Sequence, residues 1–215
     1  MVVQIVFLAR SLEVGGAEVQ LTELAKSLSE SQRFSVTIIT LYKGGELEKN
    51  LAQSKVSLIS MDKTGRWDLI RWIPKLITTI RNLKPDILHS YLGPPNIIAA
   101  LLRLFIRPKR LFWGIRASEM DFSHYDWSWR IVSNLEKLLS RIPDGIIVNS
   151  YAGEELLKKS GFSDSRIHVI HNGIDIHKFF SKPSAGMELR KKWLAGRSGP
   201  LIGLVARLDP MKDHL

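Results

Sequence analysis

The chain has 215 residues, enough to bury one full α/β core, and its 45% hydrophobic and 24% charged residues give the profile of a globular protein, not a disordered or fibrous one. It has no cysteine, which excludes a disulfide framework, a thiolate metal site and a thiol nucleophile together. A net charge of +10 calls for an anionic partner such as a nucleotide, a nucleic acid or acidic lipid headgroups, and the excess is concentrated: between Arg66 and Arg110, nine Lys or Arg stand against two Asp.

The opening apolar run, Val2–Ala9, has no basic leader or cleavage site and is far shorter than the roughly 20 residues that span a bilayer, so it reads as a strand and signals neither export nor insertion. Short β-branched runs then recur at Phe34–Leu41, Val56–Ser60, Asp86–Ser90, Arg110–Ile115, Gly145–Asn149 and Ile167–Ile170, too far apart for hairpins. Helical periodicity fills most of the gaps. Leu21, Leu24, Ala25 and Leu28 fit one apolar face, as do Leu69, Ile73, Leu76, Ile77 and Ile80, and again Ile131, Leu135, Leu138, Leu139 and Ile142. Pro74 marks the first turn or a kink of its helix. In the helix predicted over Tyr151–Ser160, Glu154 and Glu155 sit in the first turn and Gly161 follows as a C-terminal cap. Strands alternating with helices predict an α/β fold with a doubly wound, Rossmann-like parallel sheet. From Ser181 to Gly199 the composition shifts to Ser, Lys, Gly and Pro around one short helical pattern, Met187 to Ala195, which reads as a linker. A fresh strand is expected at Pro200–Ala206. The predicted division is therefore 1–180, 181–199 and 200–215.

Three loops carry candidate chemistry. After the first strand, Gly15 and Gly16 open a helix whose first turn holds Glu18; glycines there let a phosphate or sugar approach the backbone, and the free N–H groups suit an anion. A plain tight turn explains the same residues. Asn172-Gly173, after the last strand of the sheet, reads locally as a crossover turn. Arg207, at the end of the predicted strand 200–206, and Lys212 in the following loop make a fork and a point charge suited to a diphosphate; a solvated surface pair is the alternative.

Taken together, the Gly15-Gly16-Ala17-Glu18 loop, the strand end Asp86-Ile87-Leu88-His89, the stretch from Ile147-Val148-Asn149-Ser150 to Gly161, the block Ile167 to Asp175 with Phe179 behind it, and Ala206 to Lys212 resemble the GT-B glycosyltransferases of the family 4 type over essentially the whole chain. The resemblance implies the N-terminal half of a GT-B fold: residues 1–180 as an acceptor-side domain, 181–199 as a linker and 200–215 as the start of a donor-binding domain. It implies a retaining transfer from a nucleotide-sugar donor to a glycan or lipid-linked acceptor, with no catalytic metal and no cofactor. By position, Gly15 and Gly16 would face the cleft near the donor phosphates or the acceptor, Arg207 and Lys212 would neutralise the departing diphosphate, and Glu18, Asn172 and Gly173 would line the cleft.

One departure stands out. The family often carries a histidine after the fifth strand; here the region reads Trp113-Gly114-Ile115-Arg116-Ala117-Ser118-Glu119, and Arg116 holds the position. An arginine cannot act as a base at neutral pH, so Arg116 suits a phosphate or an acidic acceptor. His89 is a candidate contact for the acceptor hydroxyl, with a structural histidine as the alternative. The family's carboxylate pair for the donor sugar belongs to the C-terminal domain, so the chain alone is expected to be inactive.

The basic, Trp-bearing stretch of Arg66, Trp67, Arg71, Trp72 and Lys75, with Leu101–Arg110, fits an anionic membrane surface, and a solvated helix face fits as well. The expected location is cytoplasmic, or peripheral on the inner face of the membrane. Two rival readings are an inactive stand-alone binding domain and a basic nucleic-acid-binding module. The second has charge alone behind it, since no recognition helix, zinc spacing or RNA-binding aromatic motif is present, so no nucleic-acid partner is expected.

Overall fold

The computed structural model describes residues 2–65, 69–116 and 127–206. The chain divides into two units, Met1–Asn172 and Gly173–Leu215.

The first unit is built on seven parallel strands: β1 (Val3–Ala9), β2 (Phe34–Thr40), β3 (Ser57–Ser60), β4 (Ile87–Tyr91), β5 (Arg110–Ile115), β6 (Gly145–Val148) and β7 (Ile167–Val169). They lie in the order β3-β2-β1-β4-β5-β6-β7, the doubly wound α/β arrangement expected from the sequence. All seven apolar runs named above are strands. Central strands covered on both sides need apolar residues at successive positions, and β1 shows why: Val6, Phe7 and Leu8 are all buried although they alternate between faces.

On one face Ile5, Phe7, Ala9, Val36 and Ile38 pack against Leu21 and Ala25 of α1 (Gly16–Glu30) and against Leu47 and Leu51 of a 3-10 turn over Glu46–Leu51. On the other, Val6, Leu8, Leu88, Leu111 and Trp113 meet Trp72, Leu76 and Ile80 of α2 (Leu69–Leu83), Ala99 and Ala100 of α3 (Gly93–Leu101), and Ile106 of α4 (Arg103–Ile106). Leu139 of α5 (Trp127–Leu139) and Leu157 of α6 (Tyr151–Lys159) extend that second layer. Each fully buried Leu or Ile side chain contributes roughly 1.5–3 kcal/mol.

The N-terminal strand edge is tied by Asp144, whose carboxylate accepts from Leu111 N (2.8 Å) and Arg103 (2.8 Å), and by Asp86, which accepts from Gln4 N (2.8 Å) and Lys109 (2.5 Å). Hydrogen bonds from Lys109 and Gln4 hold the Asp86 carboxyl below the usual range, and those from Leu111 and Arg103 do the same for Asp144 against the opposing effect of its burial.

Several sequence expectations change. Pro74 lies inside α2, past its first turn, which removes the first of the two readings given for it. Trp72 is only 3% exposed and belongs to the core, so it cannot anchor a surface; Arg66 and Trp67 lie outside the described residues. Lys75 is paired with Asp62 at 3.0 Å. On α5 the predicted face is rotated: Leu139 and Ile142 pack on the core, whereas Ile131, Leu135 and Leu138 are exposed and Glu136 is on the inward side. Helix α3 was not foreseen, because it is apolar all round and has no periodicity to read; Pro94 and Pro95 in its first turn suit its start.

The end of α6 follows the sequence reading closely. Ser150 caps its start by accepting from Gly153 N (3.1 Å). At its end Gly161 takes φ +85°, Gly161 N bonds Lys158 O (2.9 Å), Phe162 N bonds Leu157 O (3.0 Å), and Phe162 is buried beneath. This is a Schellman motif. Gly161→Ala is expected to destabilise the chain by about 1 kcal/mol in urea unfolding, from the left-handed φ alone, because the nearest obstacle to a Cβ is the movable end of Lys137.

In the second unit, Asp175 Oδ1 accepts from His177 N (2.9 Å) and Lys178 N (3.2 Å), which lowers its carboxyl below the usual range. A helix, α7 (Pro183–Leu194), follows and stops at Ala195 and Gly196, both at positive φ. It starts before the helical pattern seen in sequence, with Pro183 in its first turn. Residues 200–206, expected as a strand, form none. An apolar run becomes a strand only where a neighbour completes its ladder, and no described residue pairs with it.

Candidate functional site

In a doubly wound sheet ligands meet the carboxyl edge where strand order reverses, here between β1 and β4. The loop after β1 is held rigidly. Leu12 is fully buried, Leu12 O accepts from Leu47 N (3.1 Å), Arg10 O accepts from Tyr42 N (2.9 Å), and Gly45 at φ +137° approaches so near that a Cβ there would lie 2.4 Å from the Leu12 carbonyl. Gly15 is the N-cap of α1 in extended conformation, and Gly16 is its first residue. The space in front of Gly16 is open, whereas a Cβ on Gly15 would meet the Glu18 carboxylate, which folds back over the helix start.

The second half of the edge is built from β4, β5 and β6. His89 and Tyr91 share the face of β4 that meets Phe7: the His89 ring lies 4.6 Å from Tyr91 and 5.5 Å from Phe7. Arg116, immediately after β5, extends its guanidinium over Tyr91 at 5.5 Å and donates to Asn172 Oδ1 at 2.6 Å. Arg116 Nε, His89 Nε2 and Asn149 Oδ1 are all buried with no hydrogen-bond partner among the described residues. His171 Nδ1 lies 3.1 Å from Asn149 O, and its ring meets Tyr151 edge-on at 5.4 Å.

The electrostatics follow from burial. His89 is 7% exposed, and desolvation, aided by the Arg116 charge, lowers its pKa to about 3, so the ring is neutral at ordinary pH. Burial pushes the Tyr91 hydroxyl up, with Arg116 opposing it.

Behind this edge runs a buried polar chain. Ser90 Oγ donates to Asn96 Oδ1 (2.7 Å), and Asn96 Nδ2 donates to Glu136 Oε1 (2.8 Å) and Gly114 O (3.4 Å). Burial raises the Glu136 carboxyl, and the Asn96 hydrogen bond pulls it partly back. Between β4 and α3, Leu92 sits at φ 62° and ψ 154°, a region almost reserved for glycine and costing of order 1–3 kcal/mol. Its N–H donates to Gly114 O (3.0 Å) and its carbonyl accepts from Asn96 N (3.3 Å), so the bonding that strains Leu92 also seats the ends of β4 and β5.

Of the residues picked from sequence, Gly15, Gly16 and Glu18 therefore stand at the α1 start, and Arg116 and Asn172 are joined directly. His89 is beneath them in the sheet. Gly173 opens the second unit, and Arg207 and Lys212 lie outside the described residues. Sequence reasoning missed Tyr91, which carries Arg116, and Gly114, where a Cβ would come within 3.2 Å of His89 Nε2. It also missed Asn96 and Glu136. The signal available was the polar Asn96 inside the otherwise apolar run of α3; Glu136, among Ser133, Asn134 and Lys137, carries none. Among the described residues no group of His, Asp and Glu is placed to hold a metal ion, and no helix is long and apolar enough to cross a membrane.

The seven-stranded doubly wound sheet matches the N-terminal half of the GT-B fold of solved structures. The Anabaena protein HepE, solved with UDP, superposes with a TM-score of 0.66 at 22% identity, over 88% of this chain and 49% of that one. Sucrose-phosphate synthase from Thermosynechococcus elongatus gives 0.64 at 14% identity, over 87% of this chain and 52% of that one. A family model, Glycosyltransferase Family 4, matches residues 14–178, and the chain belongs to that family. It is also 23% identical to the N-acetylgalactosamine-N,N'-diacetylbacillosaminyl-diphospho-undecaprenol 4-alpha-N-acetylgalactosaminyltransferase of Campylobacter jejuni subsp. jejuni serotype O:2, across 95% of this chain and 55% of the relative. The chain thus spans about half the length of the relatives it matches.

Proposed function

We propose that this chain supplies the acceptor-side half of a glycosyltransferase that moves a sugar from a nucleotide-sugar donor to an acceptor carried on a phosphate or diphosphate. The observation that carries this reading is Arg116. Its guanidinium is held by the Tyr91 ring on one side and Asn172 on another, and Nε is buried with no hydrogen-bond partner among the described residues. A prealigned arginine fork of this kind binds phosphate oxygens without first losing side-chain freedom. The family relative's name, with its diphospho-undecaprenol acceptor, supports that choice, and HepE bound to UDP and UDP-glucose supports a nucleotide-sugar donor.

In this reading residues 1–180 are the acceptor domain and 181–199 a linker to a donor-binding domain that begins near residue 200. Gly16 offers open backbone at the α1 N-terminus to the donor phosphates, with the Glu18 carboxylate beside Gly15. In this reading both glycines and Glu18 line the cleft with Asn172. When the sugar–phosphate bond breaks, positive charge grows on the sugar and negative charge on the diphosphate; Arg207 and Lys212 would stabilise the latter. The family implies transfer with retention. We assign His89 to bracing: neutral and stacked under Tyr91, it holds the platform on which Arg116 rests.

The nucleic-acid alternative is weaker, because several cations of the basic segment already have carboxylate partners within the chain, Lys75 with Asp62, Lys109 with Asp86, and Arg103 with Asp144.

The test is calorimetric titration with a short prenyl diphosphate-linked sugar and, separately, with its neutral glycan. Arg116→Ala is expected to weaken the diphosphate ligand by about 10- to 100-fold, the value of charge-assisted hydrogen bonds, with Arg116→Lys in between. Equal affinity of wild type and Arg116→Ala would remove the proposal.

A further inference from the structure

Beside Arg116, at the carboxyl edge of the sheet, stands a buried amide oxygen that no described residue engages. Ile115 of β5 pairs with Val148 of β6, so Arg116 and Asn149 leave the sheet on neighbouring strands. Arg116 follows β5 and Asn172 follows β7, with β6 between them, so their 2.6 Å hydrogen bond brackets the strand end where Asn149 stands. The fold takes the main chain here and leaves the side chain over. The Asn149 carbonyl lies 3.1 Å from His171 Nδ1, and the Val148 carbonyl continues the β6 to β7 ladder by accepting from Ile170 N (2.8 Å). The start of α6 is served by Ser150, whose Oγ accepts from Gly153 N (3.1 Å) and whose carbonyl accepts from Glu154 N (3.0 Å). Asn149 Oδ1 is buried with no hydrogen-bond partner among the described residues, and so is Arg116 Nε.

An unpaired buried acceptor costs stability, so its presence beside a binding arginine calls for a ligand that satisfies it. The two groups differ in kind: the guanidinium offers only donors, and Oδ1 only lone pairs. A bare diphosphate answers the first and not the second, because its oxygens are ionised at neutral pH and act as acceptors. A sugar phosphate answers both, through its anionic oxygens and a ring hydroxyl or acetamido N–H next to the phosphate. We infer that Asn149 is a specificity residue of this site: its Oδ1 accepts a hydrogen bond from the sugar carried beside the phosphate that Arg116 binds, and so separates a sugar-bearing diphosphate from a bare one. The inference rests on the phosphate reading of Arg116.

The experiment is calorimetric titration of the intact chain with a prenyl diphosphate-linked sugar, the same prenyl diphosphate without sugar, a nucleotide sugar and its nucleoside diphosphate. Asn149→Ala is expected to weaken the sugar-bearing ligand by about three- to tenfold, the value of one hydrogen bond, and to leave the bare diphosphate unchanged, whereas Arg116→Ala weakens both. Asn149→Leu restores bulk without an acceptor and should behave as Asn149→Ala. Neither change should lower the melting temperature, because Oδ1 holds no described partner to lose. The same selectivity for the nucleotide sugar over its diphosphate would equally support the inference and place the hydroxyl on the donor. If Arg116→Ala loses the diphosphate while Asn149→Ala binds every ligand like the parent, this inference is overturned and the Arg116 reading stands. Equal losses for bare and sugar-bearing ligands overturn it too, since Asn149 would then act only by placing Arg116; so does a lowered melting temperature, which would make Oδ1 part of the fold. A parent chain that binds none of the four removes the Arg116 reading, and this one with it.

Discussion

Replacing His89 by leucine is expected to remove much of the acid sensitivity of this fold while leaving its stability near neutral pH within about 1 kcal/mol of the parent. The folded chain keeps His89 neutral down to about 3, whereas an unfolded histidine takes up its proton near 6.5. Between those values the unfolded state binds the extra proton, so stability must rise with pH and be lost as the pH falls below about 6.5. Between about pH 7.5 and about pH 5 this linkage costs the native chain about 2 kcal/mol. Leucine titrates nowhere and fills a similar volume beside Phe7 and Tyr91. It also deletes a buried Nε2 that has no partner among the described residues. Glu136 acts in the opposite sense, because a raised carboxyl favours the folded state at the acid side of its window and loses that stability as the pH rises above about 4.5. Comparing the two chains by urea unfolding at both pH values cancels the Glu136 contribution and isolates His89. Parallel losses in the two chains would show that His89 is solvated or paired when folded, and the bracing assignment beneath Tyr91 and Arg116 would fall with it.

The sheet was legible because its strands are sandwiched: residues buried on both faces must be apolar in succession, and β1 or β5 can be read as a run without knowing its neighbours. Helix faces were less so. Periodicity identifies the apolar stripe Ile131, Leu135 and Leu138 but not what it faces, and the inward side of α5 is marked by long-range contacts: Val132 beside Gly93, Leu139 on the core, and the Glu136–Asn96 hydrogen bond across 40 residues. The candidate site was legible as loops and not as a constellation. Arg116 and Asn172 could each be picked by their place after a strand, yet their contact spans 56 residues. Tyr91 and Gly114 carry no local mark at all, since their roles arise only when β4 and β5 lie side by side, Tyr91 opposite Gly114.

Asn96→Ala is the substitution expected to damage the fold most. Asn96 is fully buried, and its amide satisfies three groups from three elements: the Ser90 hydroxyl, the Gly114 carbonyl and the Glu136 carboxylate. Alanine deprives the Glu136 carboxylate of its Asn96 donor, while Ser90 keeps only a long bond to Phe112 O (3.4 Å) and Gly114 O keeps Leu92 N (3.0 Å). A buried neutral group so deprived costs about 1–3 kcal/mol and a charged one more, which puts the total at roughly 3–5 kcal/mol. The largest share should belong to the Glu136 carboxylate, and that share depends on pH. Without the Asn96 hydrogen bond the Glu136 carboxyl rises further, so the penalty should be greatest at about pH 8 and shrink as Glu136 protonates on the way down towards its unfolded value near 4.5. Glu136→Gln retains an acceptor and removes the charge, so alone it should change stability by no more than about 1 kcal/mol, and combined with Asn96→Ala it should recover part of the loss. A double-mutant cycle at about pH 8 and about pH 5 reads both effects. If the Asn96→Ala loss were flat with pH and untouched by Glu136→Gln, Asn96 would matter only for seating Leu92 and Gly114. The inward turn of Glu136, and with it the outward turn of the α5 apolar stripe, would then need another cause.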